Sequence, residues 1–352
     1  MTTDPADSSP PRKRAPTIVD VAEAAGVAIG TVSRHINGLP VRATNRDQIE
    51  RAIAALGYRR NATAVAMKTD MTHIVGFLVP SLSEFHAQIL EQLTRKMRLR
   101  GRAVLSFCHE HQVALMREGL EFFASHRVDA IVMDGNEALR QDLQPFIDED
   151  LVVVLYDNDM PGVVVDRVFV DNRGASERAV GHLLDLGHTR VATIHGALED
   201  SAGRERLEGY QAAFRARGLE PDPILAIEGG WNESGGYHAV EQLAALANPP
   251  TAIFSANYNM TLGVLTYLHE NDIRLPQDLS LIGFDDVAAL RLHMPAVTAV
   301  GQPIDDLAET IADIVHRRLS NPSAMGRREV RLRAEVILRN STGRPQQAGR
   351  ED

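Results

Sequence analysis

TIVDVAEAAGVAIGTVSRHIN, residues 17–37, reads as helix, tight turn, helix. Thr17 is an N-cap residue, and Asp20 stands where a capping box places its partner. Ile18, Val21, Ala22 and Ala25 recur at helical spacing and make one apolar face. Gly26 ends this helix where the chain must turn, because glycine takes a positive φ without steric penalty. Val27 is placed to plug the gap between the helices. A second helix is expected over Ile29–Ile36, with Val32 and Ile36 turned inward and Asn37-Gly38 as its stop. Its other face carries Ile29, Gly30, Ser33 and Arg34. A plain helical hairpin at a core edge shares this spacing. The outward polar face instead suits a helix-turn-helix, whose second helix lies in the major groove of DNA.

The surrounding chain fits a small head on a large body. Residues 1–16, rich in Thr, Ser, Asp and Pro around Arg12-Lys13-Arg14, cannot bury a core and are expected to be a disordered tail. After Gly38-Leu39-Pro40, a third helix is expected from Asn45 to Leu56, burying Ile49, Ile53 and Leu56. Residues 17–58 then form a three-helix head, and 59–71 a linker. The net charge of -10 is unevenly spread. Residues 1–68 hold ten Lys/Arg against six Asp/Glu, a balance of +4 that leaves -14 for the rest. A basic head on an acidic body suits a DNA reader whose body is repelled by the phosphates.

At 352 residues and 44% hydrophobic, the chain has room for two or three domains. The single cysteine, Cys108, excludes an internal disulfide framework and fits a reducing cytoplasm. The N-terminal stretch lacks an apolar signal core, and no apolar run approaches the ~20 residues that span a bilayer. No membrane partner is expected.

From His73 the pattern becomes alternating strands and helices. IVGFLVP (74–80) is a continuous apolar run, as in a strand buried on both faces. AVLSFC (103–108), DAIVMDG (129–135), VVVLYD (152–157) and VDRVFVDN (165–172) continue the series. VATIHG (191–196), ILAIEGG (224–230), TAIFSAN (251–257) and LSLIGFDD (279–286) form a second set. Helices are expected between them, at 85–100, 113–126, 174–186 and 204–217. The implied class is α/β, with two doubly wound parallel-sheet lobes and a ligand cleft at the carboxyl ends of their strands.

VAEAAGV followed by TVSRHIN closely resembles the signature of the lactose-repressor (LacI/GalR) family. DNRGASERAVGHLLDLGH, RERLEGYQAAF, PPTAIFSAN, LPQDLSLIGFDD and VTAVGQP also match its recurring blocks, so the resemblance covers about residues 17–341. It implies a helix-turn-helix head joined to a periplasmic-binding-protein-like core. By that analogy the core is 72–341, with lobe one about 72–170 and 302–325, lobe two about 171–301 and 326–341, and a polar tail at 342–352. The tail has no apolar heptads, so a dimer without a tetramerising helix is expected.

The resemblance also implies site residues. In the head these are Thr17, Ile18, Ile29, Gly30, Thr31, Ser33, Arg34, Asn37, Arg42 and Arg46. In the linker, which the family folds as a short hinge helix on operator DNA, they are Asn61, Ala64 and Met67, with Met67 where the family places a minor-groove leucine wedge and Arg60 where it usually has proline. Asp157, Arg206, Trp231, Asn257, Asp285 and Gln302 match ligand contacts. Carboxylates accept hydroxyl hydrogens and an indole covers the C–H side of a sugar ring. Arg206 leaves a sugar acid open.

The chain departs from the family pattern in places. Ala28 replaces the serine cap of the second helix and Gly30 removes a side chain, so base reading falls to Ile29 and Arg34. Tyr258 follows Asn257 where the family often has Asp, and the Ser83-Glu84-Phe85-His86 loop is one residue shorter. Cys108-His109-Glu110-His111 resembles a metal cluster, but adjacent strand residues point opposite ways, so no metal is expected and the histidines are assigned to a cleft rim or solvent.

The expected function is a ligand-responsive DNA-binding regulator, a repressor of carbohydrate uptake or catabolism genes. It acts as a homodimer on double-stranded operator DNA, with a sugar or sugar derivative as effector and no cofactor. A nucleobase or other corepressor is the alternative within that class. A transport binding protein would lack the DNA head. An enzyme would need a motif such as G-x-G-x-x-G, a P-loop or G-x-S-x-G, and none is present.

Overall fold

A computed structural model of the chain describes residues 14–59, 71–321 and 326–346. The expectations for the tail before residue 14, for the linker with Asn61, Ala64 and Met67, and for residues 347–352 lie outside the described residues. The described chain divides into two compact units, 1–72 and 73–352.

The first unit is three helices, α1 (Ile18–Ala25), α2 (Ile29–Ile36) and α3 (Ala43–Leu56). The Thr17–Asp20 capping box forms in both directions. Gly26 takes φ +65° and lets Val27 N–H reach the Ala22 carbonyl at 3.1 Å. Gly38 does the same after α2 at φ +70°, with Leu39 N–H on the Arg34 carbonyl at 2.9 Å. Val21, Ala22, Ala25, Val32, Ile49 and Ala52 make the core, flanked by the partly buried Ile36, Ile53 and Leu56. α3 starts two residues before the expected Asn45, with Arg42 at a cap position that makes no side-chain cap bond.

The second unit begins with β1 (Ile74–Val79), α4 (Glu84–Leu99), β2 (Ala103–Cys108), α5 (Val113–Ser125), β3 (Ala130–Asp134), α6 (Arg140–Asp148), β4 (Val152–Tyr156) and β5 (Asp166–Val170). It continues with α7 (Asn172–Asp185), β6 (Val191–His195), α8 (Ser201–Arg215), β7 (Ala226–Glu228), α9 (Glu233–Ala244), β8 (Ala252–Ser255), α10 (Tyr258–Glu270), β9 (Ser280–Phe284), α11 (Ala288–Leu292) and β10 (Thr298–Gly301). The chain then returns through α12 (Ile304–Ser320), β11 (Glu329–Leu332) and β12 (Glu335–Ile337).

Two six-stranded sheets result, in the orders β11-β5-β4-β3-β1-β2 and β12-β10-β9-β8-β6-β7. The first is parallel throughout. β1 and β3 are apolar and buried along nearly their whole length because helices cover both faces. α12 covers the first sheet, with Leu307, Ile311 and Val315 packed against Phe77 and Val154.

Two expectations need correction. Residues 329–332 belong to the first sheet, so the last crossing comes after Leu332 and not near residue 325. The cause is Asp166 at the start of β5. It is fully buried, takes Arg318 of α12 through both oxygens at 2.8 and 2.9 Å, and accepts Arg328 N–H at 2.8 Å. That carboxylate draws the returning chain alongside β5. The second sheet is also not wholly parallel, since β12 pairs antiparallel with β10 at its edge.

Candidate functional site

In the head, the solvent face of α2 presents Ile29, which is 48% exposed, with Gly30 and Arg34. Thr31 and Ser33 are half-buried beside them. Arg34 rests on the Pro40 carbonyl at 3.3 Å, an exposed contact that is readily exchanged. Asn37 donates to Ser33 Oγ at 3.5 Å, and Arg46 pairs with Asp47 at 3.4 Å on the surface. Thr17 and Asp20 are occupied with each other, and the Thr17 hydrogen bonds hold the Asp20 carboxyl below its usual range. Ala28 makes no side-chain cap bond, so the first turn of α2 keeps backbone N–H groups uncovered by any side-chain oxygen.

In the second unit, all six residues expected at a cleft line one cavity of about 270 Å³. Asp157, Asp285 and Gln302 each follow directly after a strand end, Asn257 and Trp231 stand two and three residues beyond one, and Arg206 lies on α8 after β6. The lining thus comes from the carboxyl ends of both sheets. The two sheets are bridged beside it. Asn158 accepts Ala202 N–H at 3.0 Å, Asp159 N–H donates to Ser201 Oγ at 2.8 Å, and Glu84 accepts Ala288 N–H at 3.0 Å.

Arg206 is 4% exposed. Its Nε donates to Asn172 at 2.9 Å and one Nη to the Ala256 carbonyl at 2.5 Å. The guanidinium lies 3.7 Å from the Phe284 ring centre, a cation–π contact. Burial lowers its pKa, opposed by Asp285 and Asp157.

Asp285 accepts Gln302 Nε2 at 2.5 Å and Tyr258 N–H at 3.2 Å. Asn257 caps α10 through Met260 N–H at 2.8 Å and donates to the Trp231 carbonyl at 3.1 Å, so its amide holds the wall together. The Trp231 indole donates to Asp200 at 2.7 Å and stands over Gly196, where a Cβ would lie only 1.9 Å from the ring. Burial pushes Asp157 up to about 7. Arg206 opposes that rise, and Asp134, Asp285 and Asp200 reinforce it.

Asp157, Trp231 and Asp285 all hold left-handed backbone, at φ +59°, +64° and +75°. For non-glycine residues this costs ~1–3 kcal/mol each and clusters at functional sites.

The cavity also contains residues that sequence reasoning missed. Asp134 ends β3, the same signal that singled out Asp157. Asp200 and Asn158 lie in loops and have no such signal. His86, in the shortened loop, is buried, bonded through Nδ1 to Ser83 Oγ at 2.9 Å, and lowered by burial to about 4. The rim assignment fails for His109, which is fully buried with Nε2 3.3 Å from Asp134, because the turn after β2 folds it under the sheet end. His111 does line the cavity. Among the described residues no helix is long and apolar enough to cross a membrane.

Comparison with known proteins agrees with both units. Residues 17–61 match the profile of bacterial regulatory proteins of the lacI family, and 180–342 that of the periplasmic binding protein-like domain. The ribose operon repressor of Escherichia coli (strain K12) is 30% identical over 320 residues, covering 89% of this chain and 96% of that one. The solved complex of the transcriptional regulator CelR with cellobiose is 28% identical at a TM-score of 0.71, covering 93% and 99%. The lac repressor dimer bound to operator and the anti-inducer ONPF shares the fold, at 24% identity and a TM-score of 0.83 over 94% and 100%. A helix-turn-helix head, a two-sheet core with a lined cavity and a relative matched over nearly its whole length lead to one conclusion: the chain belongs to the LacI family of ligand-responsive, DNA-binding transcriptional regulators.

Proposed function

We propose that this regulator is a carbohydrate-responsive repressor that acts in the cytoplasm as a homodimer on double-stranded operator DNA and is not an enzyme. The observation that carries the effector reading is the convergence of Asp157, Arg206, Trp231, Asn257, Asp285 and Gln302 on one cavity. Its lining offers carboxylates for hydroxyl hydrogens and an indole for an apolar ring face. About 270 Å³ lies just below the ~300–1,000 Å³ range of ligand pockets and suits a single ring better than an oligomer. Relatives named for ribose and cellobiose support the class. A sugar acid is disfavoured, because Arg206 is already bonded to Asn172 and Ala256 and has carboxylates around it.

On the DNA side, Ile29, Gly30, Thr31, Ser33 and Arg34 face base edges, with Arg34 on a guanine. Thr17, Ile18, Asn37, Arg42 and Arg46 hold the backbone, and Asn61, Ala64 and Met67 reach the minor groove. A two-fold dimer matches two heads to a pseudo-palindromic site. Effector binding tightens the bridges between the sheets and changes operator affinity by a coupling of ~1–3 kcal/mol.

The test is a thermal-shift screen of the full chain against sugars, polyols, sugar acids and nucleobases. Binding to a duplex selected by the protein from a random pool is then measured with and without each hit. Stabilisation by sugars or polyols with a change in duplex affinity supports the reading. A response to nucleobases or sugar acids alone, or none at all, overturns the carbohydrate assignment.

A further inference from the structure

Charge in the cavity is strongly one-sided. Asp134, Asp157, Asp200 and Asp285 line it, against Arg206 as the one Lys or Arg among the described lining residues. Three of the four carboxylates have protein partners. Asp285 takes Gln302 and the Tyr258 N–H, Asp200 takes the Trp231 indole, and Asp134 lies beside His109. The Asp157 carboxylate accepts no hydrogen bond from any described residue, although it sits at a strand end on left-handed backbone.

An independent observation comes from the same sheet's side of the cavity, where the His86 ring packs against Tyr156. His86 lines the cavity, is 9% exposed, and has a buried Nε2 with no partner. Its Nδ1 is occupied by Ser83, so Nε2 is the atom left for a ligand group. The ring is neutral at ordinary pH and adds no positive charge.

A neutral sugar would leave this excess of carboxylates uncompensated in a partly dehydrated space, where charges interact more strongly than in water. Resting on the reading of this cavity as the effector site, we propose that the effector is an amino sugar: its ammonium group is held by Asp157 with Asp134 and Asp200 beside it, and a ring hydroxyl meets His86 Nε2. Charge-assisted N–H···O bonds of this kind are roughly twice as strong as neutral ones. They satisfy the one of the four lining carboxylates that takes no hydrogen bond from a described residue. Burial raises the proton affinity of Asp157, Arg206 opposes that rise and Asp134, Asp285 and Asp200 add to it, so a cation must displace a proton that a neutral ring need not.

The experiment is calorimetric titration of the full chain with D-glucosamine, D-glucose, N-acetyl-D-glucosamine and D-glucuronate, and with the galactose series, at about pH 6 and about pH 8. The amine should bind at least about tenfold tighter than its neutral and N-acetyl partners. Its affinity should rise severalfold from the lower to the higher pH, while that of the neutral sugar does not. Asp157→Asn keeps a residue type that tolerates left-handed backbone and should abolish the preference for amine, with melting behaviour reporting that the variant folds. Equal or tighter binding of the neutral sugar, or an amine preference that survives in Asp157→Asn, overturns the proposal alone. Silence from every compound overturns it together with the carbohydrate reading beneath it.

Discussion

Gly196→Ala adds one methyl group directly under the indole that walls the cavity. Gly196 follows β6 and its φ lies outside the left-handed region, so the backbone accepts alanine and the effect is steric. The new Cβ would stand 1.9, 2.1 and 2.3 Å from Cζ2, Cε2 and Cη2 of Trp231. Carbon atoms pack at ~3.5–4.0 Å, so the ring must retreat by roughly 1.5–2 Å. The 2.7 Å bond from the indole to Asp200 cannot survive that displacement. Overpacking of this kind costs ~1–3 kcal/mol. The lost bond adds at most a similar amount, because the half-buried ring recovers part of it from water. For a unit of this size each kcal/mol lowers Tm by roughly 2–4 °C. Trp231 is the only tryptophan in the chain, so its fluorescence reports on this wall alone. The expected outcome is a red-shifted emission maximum, a lower Tm and a weakened effector response, with duplex binding retained. An emission maximum and Tm both equal to those of the parent protein would refute the packing argument.

Other substitutions separate the two units. Arg34→Ala should weaken binding to a selected duplex by ~1–3 kcal/mol and to random duplex far less; equal losses on both would place Arg34 on the phosphates. Asp285→Asn should preserve folding and duplex binding, since an amide can still accept Tyr258 N–H and meet a rotated Gln302 amide, yet abolish the effector response. A normal response would remove Asp285 from the effector site. Asp157, pushed up to about 7 in the fold, binds its proton more tightly there than in the unfolded chain. Its contribution to stability is therefore complete below the ordinary carboxyl range and is lost as pH rises through about 7. Ligand-free Asp157→Asn should melt above the parent at about pH 8 and lose this part of the pH dependence; identical melting profiles for the two proteins would contradict it.

Local chemistry alone determined the head. Thr17 with Asp20, Gly26, Asn37-Gly38 and the spacing of Val21, Ala25 and Val32 specify two capped helices and their buried faces, because each signal acts within one or two turns. Strand ends were legible for a similar reason: a buried parallel strand is an unbroken apolar run, and the polar residue that breaks it, such as Asp157 or Asp285, falls at the carboxyl end where the sheets meet. Helix α6, which carries Pro145 in its interior, and the short strands β10, β11 and β12 carry no comparable run. Their places depend on partners distant in sequence, as the pull of buried Asp166 on Arg318 and Arg328 shows. The cavity itself is a tertiary product. Asp200 and Asn158 sit in loops without periodicity, His109 is drawn beneath a strand end, and Gly196 matters only because an indole from another loop lies over it. Sequence spacing determines which residues a strand delivers to its end. The bridges that join the carboxyl ends of the two sheets decide which of those ends meet, and so which charges face one another.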